Sequence, residues 1–172
     1  MRANIAPLAA MLAGACLIVG PAVVAPIPRL VWNASASLPV GLYRVRSADR
    51  LSVGEIALAR TPAALSPIFA ERSYLPEGVP LLKRIAALPG GSVCREGLQI
   101  TIDGVAAGLA RERDLLGRAL PVWQGCQQLG SGEVFLMNRD VPDSLDGRYF
   151  GAVPVASIIG RAEPLWTFEA PR

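Results

Sequence analysis

The 172-residue chain contains no histidine, and that absence removes Ser-His-Asp catalysis, Cys-His catalysis and every His-based zinc site together. Acid–base work must fall to Lys, Asp, Glu or Tyr. The sequence also has no run of Lys or Arg: its formal charge of +3 is spread along the chain, so there is no phosphate-tracking surface and nucleic acid is not an expected partner. No metal site and no cofactor is expected. Internal repeats, low-complexity tracts and long linkers are missing as well, and the length leaves room for one compact catalytic domain plus an anchor.

Charge is absent from one long stretch. Between Arg2 and Arg29 no side chain is charged, and residues 5–30 are dominated by Ala, Val, Leu and Ile. Roughly 20 apolar residues suffice to cross a bilayer as a helix, so residues 1–30 are expected to form a single N-terminal transmembrane anchor. A cleaved secretory signal is the competing reading. Pro21, Pro26 and Pro28 make the outer end an irregular continuation of the helix. With Arg2 on the cytoplasmic side, residues 31–172 lie outside a bacterial inner membrane, in the periplasm.

Only three cysteines are present. Cys16 sits in the apolar run and reads as a small packing residue. Cys94 and Cys126 fall in the exported part, where an oxidising compartment permits a disulfide; two free buried thiols are the alternative.

Past the anchor, the chain reads as short strands separated by Gly and Pro. Residues 41–46, 55–60, 81–88, 98–103, 133–138 and 155–166 are rich in β-branched or alternating apolar residues, which predicts a mainly β domain. Asp103-Gly104 is a two-residue hairpin turn signal. One helical insertion is expected over residues 61–74, with Thr61 as cap and Pro62 at its first position, interrupted at Pro67.

Three stretches carry chemistry. In Asn33-Ala34-Ser35-Ala36-Ser37-Leu38-Pro39-Val40-Gly41-Leu42-Tyr43, a serine hydroxyl becomes a nucleophile only with a base beside it, and by itself the segment is a turn. In Leu81-Leu82-Lys83-Arg84-Ile85-Ala86-Ala87-Leu88-Pro89-Gly90-Gly91, strand alternation puts Lys83 on a face with Leu81 and Ile85 and turns Arg84 away. Desolvation lowers a lysine pKa and makes it a general base, a role closed to Arg. Alternatively the lysine stem lies on apolar surface while its head reaches water. The third stretch, residues 137–151, gathers Asn138, Asp140, Asp143, Ser144, Asp146 and Arg148 before two aromatics. Its composition fits a well-bonded turn as well as an active-site wall.

In this order the three stretches resemble the signal peptidase family, and within it the TraF-type branch of bacterial conjugation. Ser-Leu-Pro-x-Gly-x-Tyr is similar to the nucleophile segment, Lys-Arg-x-x-Ala-Leu-Pro-Gly to the general-base strand, and Asp-x-Arg-Tyr-Phe-Gly to the closing motif; Gly54-Glu55-Ile56-Ala57-Leu58 is similar to the intervening strand. The resemblance implies a signal-peptidase-like β domain in which Ser37 is the nucleophile and Lys83 its general base. It further implies that Ser35 helps to hold the oxyanion, that Ser144 orients the lysine amine, and that Asp146 and Arg148 support the site. Leu38 replaces a frequent Met, Gly91 stands where Asp is common and Gly147 where Ser is frequent; the first points to the conjugation branch. The implied activity is processing of an exported precursor at the inner membrane, most specifically a conjugative pilin, by hydrolysis or by cyclisation. A general type I signal peptidase, a self-cleaving repressor-type protease and a non-catalytic scaffold of a conjugation or secretion apparatus are the alternatives. Oligomeric state is not readable.

Overall fold

In the computed structural model, which describes residues 5–24 and 28–168, the apolar N-terminal stretch forms helix α1 (Ala6–Val24). Leu8, Met11, Leu12 and Leu17 are exposed along it, and an apolar helix with no polar face suits lipid or protein surroundings better than water. The expected anchor covers residues 1–30, and α1 lies within it. Its 19 residues make about 28 Å at the usual rise, just under the roughly 30 Å of a hydrocarbon core. Among the described residues no helix is long and apolar enough to cross a membrane. Residues 1–4 and 25–27, at the two ends of the expected span, lie outside the described residues. Cys16 is exposed on α1 and is not a packed residue.

Beyond α1 the chain is mainly β, as its alternating apolar segments predict. The order is β1 (Leu30–Asn33), β2 (Val40–Arg46), β3 (Ile56–Ala59), helix α2 (Ser66–Glu71), β4 (Leu81–Ala87), β5 (Ser92–Glu96), β6 (Gln99–Ile102), β7 (Val105–Leu109), β8 (Gly125–Gln128), β9 (Glu133–Leu136), the one-turn helix α3 (Gly147–Phe150), β10 (Val153–Pro154), a 3₁₀ turn (Val155–Ser157) and β11 (Ile158–Phe168). A seven-stranded antiparallel sheet runs β1-β2-β11-β3-β4-β9-β10, and a four-stranded one runs β7-β6-β5-β8.

The large sheet is organised around β3 and β4. Both are almost wholly buried, which is why neither shows the clean alternation of a half-exposed strand. Leu82, Ile56 and Leu58 pack on one side with Tyr43 and Val45, while Ile85, Ala57 and Ala59 pack on the other with Val134 and Leu136. Lys83 pairs with Ala57 across the ladder, so the small methyl opposite it leaves room for the long amine side chain.

Turn chemistry decides the smaller sheet. Asp103 and Gly104 adopt φ of 50° and 76° and join Ile102 directly to Val105, the left-handed pair that a two-residue hairpin turn requires. The expected helix over residues 61–74 is shorter: α2 holds six residues, Pro67 lies in its first turn, and Leu65 occupies the cap position without a side-chain bond. Proline starts this helix instead of interrupting it, because its missing N–H falls where no intrahelical partner exists. Thr61 bonds the carbonyl of Val79 at 3.4 Å and caps nothing.

Cys94 and Cys126 face each other across β5 and β8 and form a disulfide. Its loop spans 32 residues, for which the chain-entropy model gives about 3 kcal/mol. Replacing both cysteines with serine should therefore lower unfolding free energy by about that amount, measured by urea titration of the oxidised parent beside the variant. Equal midpoints would show that the bond contributes nothing.

Candidate active site

Three segments far apart in sequence meet against the large sheet. The first is the turn between β1 and β2, which carries Ser35 and Ser37. Asn33, at the end of β1, is buried and organises this turn from within. Its amide nitrogen donates to the carbonyls of Ser35, Leu38 and Pro39 at 3.0, 3.1 and 3.1 Å. Its amide oxygen accepts from the Ser35 N–H at 3.1 Å and from the Ser35 hydroxyl at 3.0 Å. Tyr43 closes the turn by donating to the carbonyl of Pro39 at 2.6 Å. Ser35 and Ser37 hydroxyls lie 2.9 Å apart. Because the Ser35 proton is engaged by Asn33, Ser37 is the donor of that pair.

The second segment is β4. Lys83 is 5% exposed and its Nζ donates to the Ser144 hydroxyl at 3.0 Å. Its pKa is lowered to about 8: burial pushes it down most, the Asp146 carboxylate nearby raises it, and the Arg148 guanidinium lowers it. Desolvation wins, so the neutral amine is an accessible minority form near neutral pH and predominates above about 8. Arg84, the next residue, turns outward and donates to the carbonyl of Gly54 at 3.0 Å. The strand therefore separates a cation that can lose its proton from one that cannot.

The third segment runs from Asn138 to Phe150. Asp146 and Arg148 are fully buried. Arg148 donates through Nε to Oδ1 of Asp146 and through Nη2 to Oδ2, both at 2.9 Å, a two-bond fork that arginine makes with carboxylates. The same guanidinium reaches the carbonyls of Asn138 at 3.1 Å, Val141 at 2.7 Å, and Pro142 and Ser144 at 3.4 Å. It thereby sets the course of the loop that presents Ser144 to Lys83. Gly147 follows from packing: a Cβ there would meet the Leu136 carbonyl and the Phe135 ring, each at 2.7 Å, so any larger residue, serine included, has no room.

Asn138 joins all three segments, a role that its place in the third stretch does not reveal. It is 2% exposed; its Nδ2 donates to the carbonyl of Ser37 at 2.7 Å, its Oδ1 accepts from the N–H of Arg84 at 2.9 Å, and its own N–H donates to Oδ2 of Asp146 at 3.0 Å. The available signal was a polar residue immediately after Val134-Phe135-Leu136-Met137, a run with no solvent-facing member. The structure thus brings Ser35, Ser37, Lys83, Ser144, Asp146 and Arg148 to one place. Among the described residues no hydrogen bond joins Ser37 to Lys83. An adjacent cleft lined by Tyr74, Leu116 and Tyr149 reaches Asp143 and Leu145 but neither Ser37 nor Lys83. Substituting Arg148 with Met should destabilise by about 3–5 kcal/mol by stranding the buried Asp146 carboxylate, read by urea titration; a loss under about 1 kcal/mol would place that pair in water instead.

Comparisons with known proteins identify the family of the chain. The model of the family described as "Signal peptidase, peptidase S26" matches residues 2–166. The conjugal transfer protein TraF of Agrobacterium fabrum (strain C58) is 34% identical over 149 residues, 80% of this chain and 82% of that protein. A plasmid transfer protein TraF of Escherichia coli is 31% identical over 169 residues, 93% and 90% of the two chains. A crystal structure of a signal peptidase I from Enterococcus faecalis V583 superposes with a TM-score of 0.39 at 21% identity, covering 67% of this chain and 98% of that one. With a family match running through nearly the whole sequence and relatives above 30% identity across most of it, the chain belongs to the signal peptidase family, peptidase S26.

Proposed function

We propose that the chain is a membrane-anchored serine endopeptidase that matures an exported precursor, a conjugative pilin, through an acyl-enzyme on Ser37 with Lys83 as general base. The observation that carries this reading is the pairing of a buried lysine, depressed to about 8, with a serine turn fixed to the neighbouring strand through Asn138. The names of the relatives, conjugal and plasmid transfer proteins, support conjugation as the setting.

A neutral lysine amine has one lone pair and two N–H bonds. Ser144, accepting at 3.0 Å, takes one N–H and so directs the lone pair. Ser37 donates to Ser35 in the free chain, and the reaction requires its hydroxyl to turn from Ser35 to Lys83 when a peptide occupies the site. The proton passes to Nζ, Oγ attacks the scissile carbonyl, and Ser35 with backbone N–H groups holds the oxyanion. Lysine then returns its proton to the leaving amine. Water releases the acyl group as a free carboxylate; an amine of the substrate in its place yields a cyclic product.

The anchor belongs to this reading. An uncharged stretch from Ala3 to Pro28 and the exposed apolar surface of α1 support a retained single-pass segment with its amino terminus in the cytoplasm and the catalytic domain in the periplasm. Tethering places the site near the bilayer surface, where a membrane-embedded precursor presents its cleavage point.

Co-expression of a candidate pilin precursor with the chain, followed by intact mass of the pilin, tests the assignment. Ser37→Ala should reduce processing by about 10⁴-fold or more and Lys83→Met by about 10²–10⁴-fold. Lys83→Arg should not restore it, since arginine keeps its proton. A loss of one water from the product would show cyclisation, and cleavage of ordinary secretory precursors but not the pilin would move the enzyme to general signal peptide removal. Normal processing by Ser37→Ala would end the catalytic reading. Activity should also rise with pH and level off above about 8, because the ammonium form of Lys83 is inert and its neutral form is the base; a rate flat from pH 6 to about 9 would exclude lysine as the base.

A further inference from the structure

We propose that Arg95 and Trp123 are positioning residues of the Ser37–Lys83 site, holding from the four-stranded sheet the two consecutive carbonyls of α3 behind the Asp146–Arg148 clamp. The proposal rests on the Ser-Lys reading above.

Arg95 is a buried cation that the mechanism does not use. It is 1% exposed, and among the described residues it forms no ion pair with a carboxylate. Its Nη1 donates to the carbonyl of Arg148 at 2.5 Å and its Nε to that of Gly97 at 3.1 Å. A guanidinium without a counterion is costly to bury, and an apolar side chain of similar volume would serve packing better. What it supplies is geometric. Helix α3 is only four residues long, so the Arg148 carbonyl has no residue further along the helix to bond and needs an outside donor.

Trp123 adds a second donor one residue earlier, on the carbonyl of Gly147, which also accepts from the Gly151 N–H at 2.9 Å. Its indole N–H donates to the carbonyl of Gly147 at 2.9 Å, and its ring meets Phe135 edge-on. The two donors come from strands that the disulfide ties together: Arg95 is the neighbour of Cys94 on β5, and Trp123 leads into β8, which carries Cys126. Gln124 reinforces the link by accepting from the Gly97 N–H and donating to the Gly97 carbonyl. From α3 the contacts continue through Asp146 and Arg148 to the Ser144 carbonyl and from the Ser144 hydroxyl to Lys83. The small sheet therefore reaches the amine through an unbroken series of bonds. Loosening α3 lets the Ser144 loop relax and admits water to Lys83.

Lys83 is the chain's single lysine, so biosynthetic labelling with lysine carrying carbon-13 at Cε gives one side-chain resonance that titrates with this amine alone. The full-length oxidised chain in detergent would be compared with Arg95→Met and Trp123→Phe, the second keeping one aromatic ring against Phe135 and losing the N–H donor. Both variants should raise the titration midpoint by about half a unit or more, as solvent reaches the ammonium. Cleavage of the candidate pilin precursor should fall about tenfold or more in kcat with KM within about twofold, the pattern of lost alignment at the reacting atoms. Parent-like midpoint and kcat in a folded Trp123→Phe would overturn the proposal, whether or not Arg95→Met folds. Ser37→Ala run alongside keeps the two ideas apart: if it cleaves normally, the Ser-Lys reading fails, and if it is inactive while both variants behave like the parent, only the positioning role fails.

Discussion

The Asp146–Arg148 pair is the interaction on which the site depends. Two opposite charges removed from water gain little net stability over an apolar replacement, so its value lies in direction. One carboxylate receives the Asn138 N–H and two guanidinium bonds, and one guanidinium gathers carbonyls from a loop with no regular structure of its own. A segment that would otherwise sample many conformations is given one, and Ser144 and Asn138 are delivered together to the lysine and the serine turn.

Around that clamp the protein distributes its cations by type. Every basic side chain except Lys83 is an arginine, and two of the arginines are buried where a permanent charge can tie up carbonyl groups. The lysine lies on a face lined by Leu81, Ile85 and Ala57, with its head against a hydroxyl. Fixed positive charge is thus used for construction, and the single lysine is set apart from it as a buried amine whose pKa is lowered to about 8.

Much of the site is legible because its motifs are local. Ser37, Lys83, Ser144, Asp146 and Arg148 each sit in a short segment whose residue order is informative, and the strands expected at residues 81–88 and 133–138 appear as β4 and β9 with their ends trimmed. The four-stranded sheet is only half legible: β6 and its Asp103-Gly104 turn carry a clear signal, whereas β5, β7 and β8 are short and interrupted by Gly or polar residues. The roles of Asn33 and Asn138 are hidden because asparagine beside serine, proline or aspartate reads as a turn residue, and Asn138 bonds backbone groups 101 and 54 positions away. Arg95 carries a weak signal, since Val93 and Arg95 share a face of β5 and both are buried. The N-terminal helix is legible in kind: the uncharged apolar stretch contains α1.

The clamp has a consequence for how this loop can vary. Between Arg139 and Asp143 the Arg148 guanidinium engages only main-chain oxygens, and the side-chain contact found there, Arg111 with Asp143, is exposed. The spelling of those five positions is therefore nearly free, whereas their number is not: one inserted or deleted residue would rotate the carbonyls off a rigid planar fork and carry Ser144 out of register with the amine. Drift in this lineage should accumulate here as substitutions at constant length, so that a change in loop length marks a copy whose site has been rebuilt or lost.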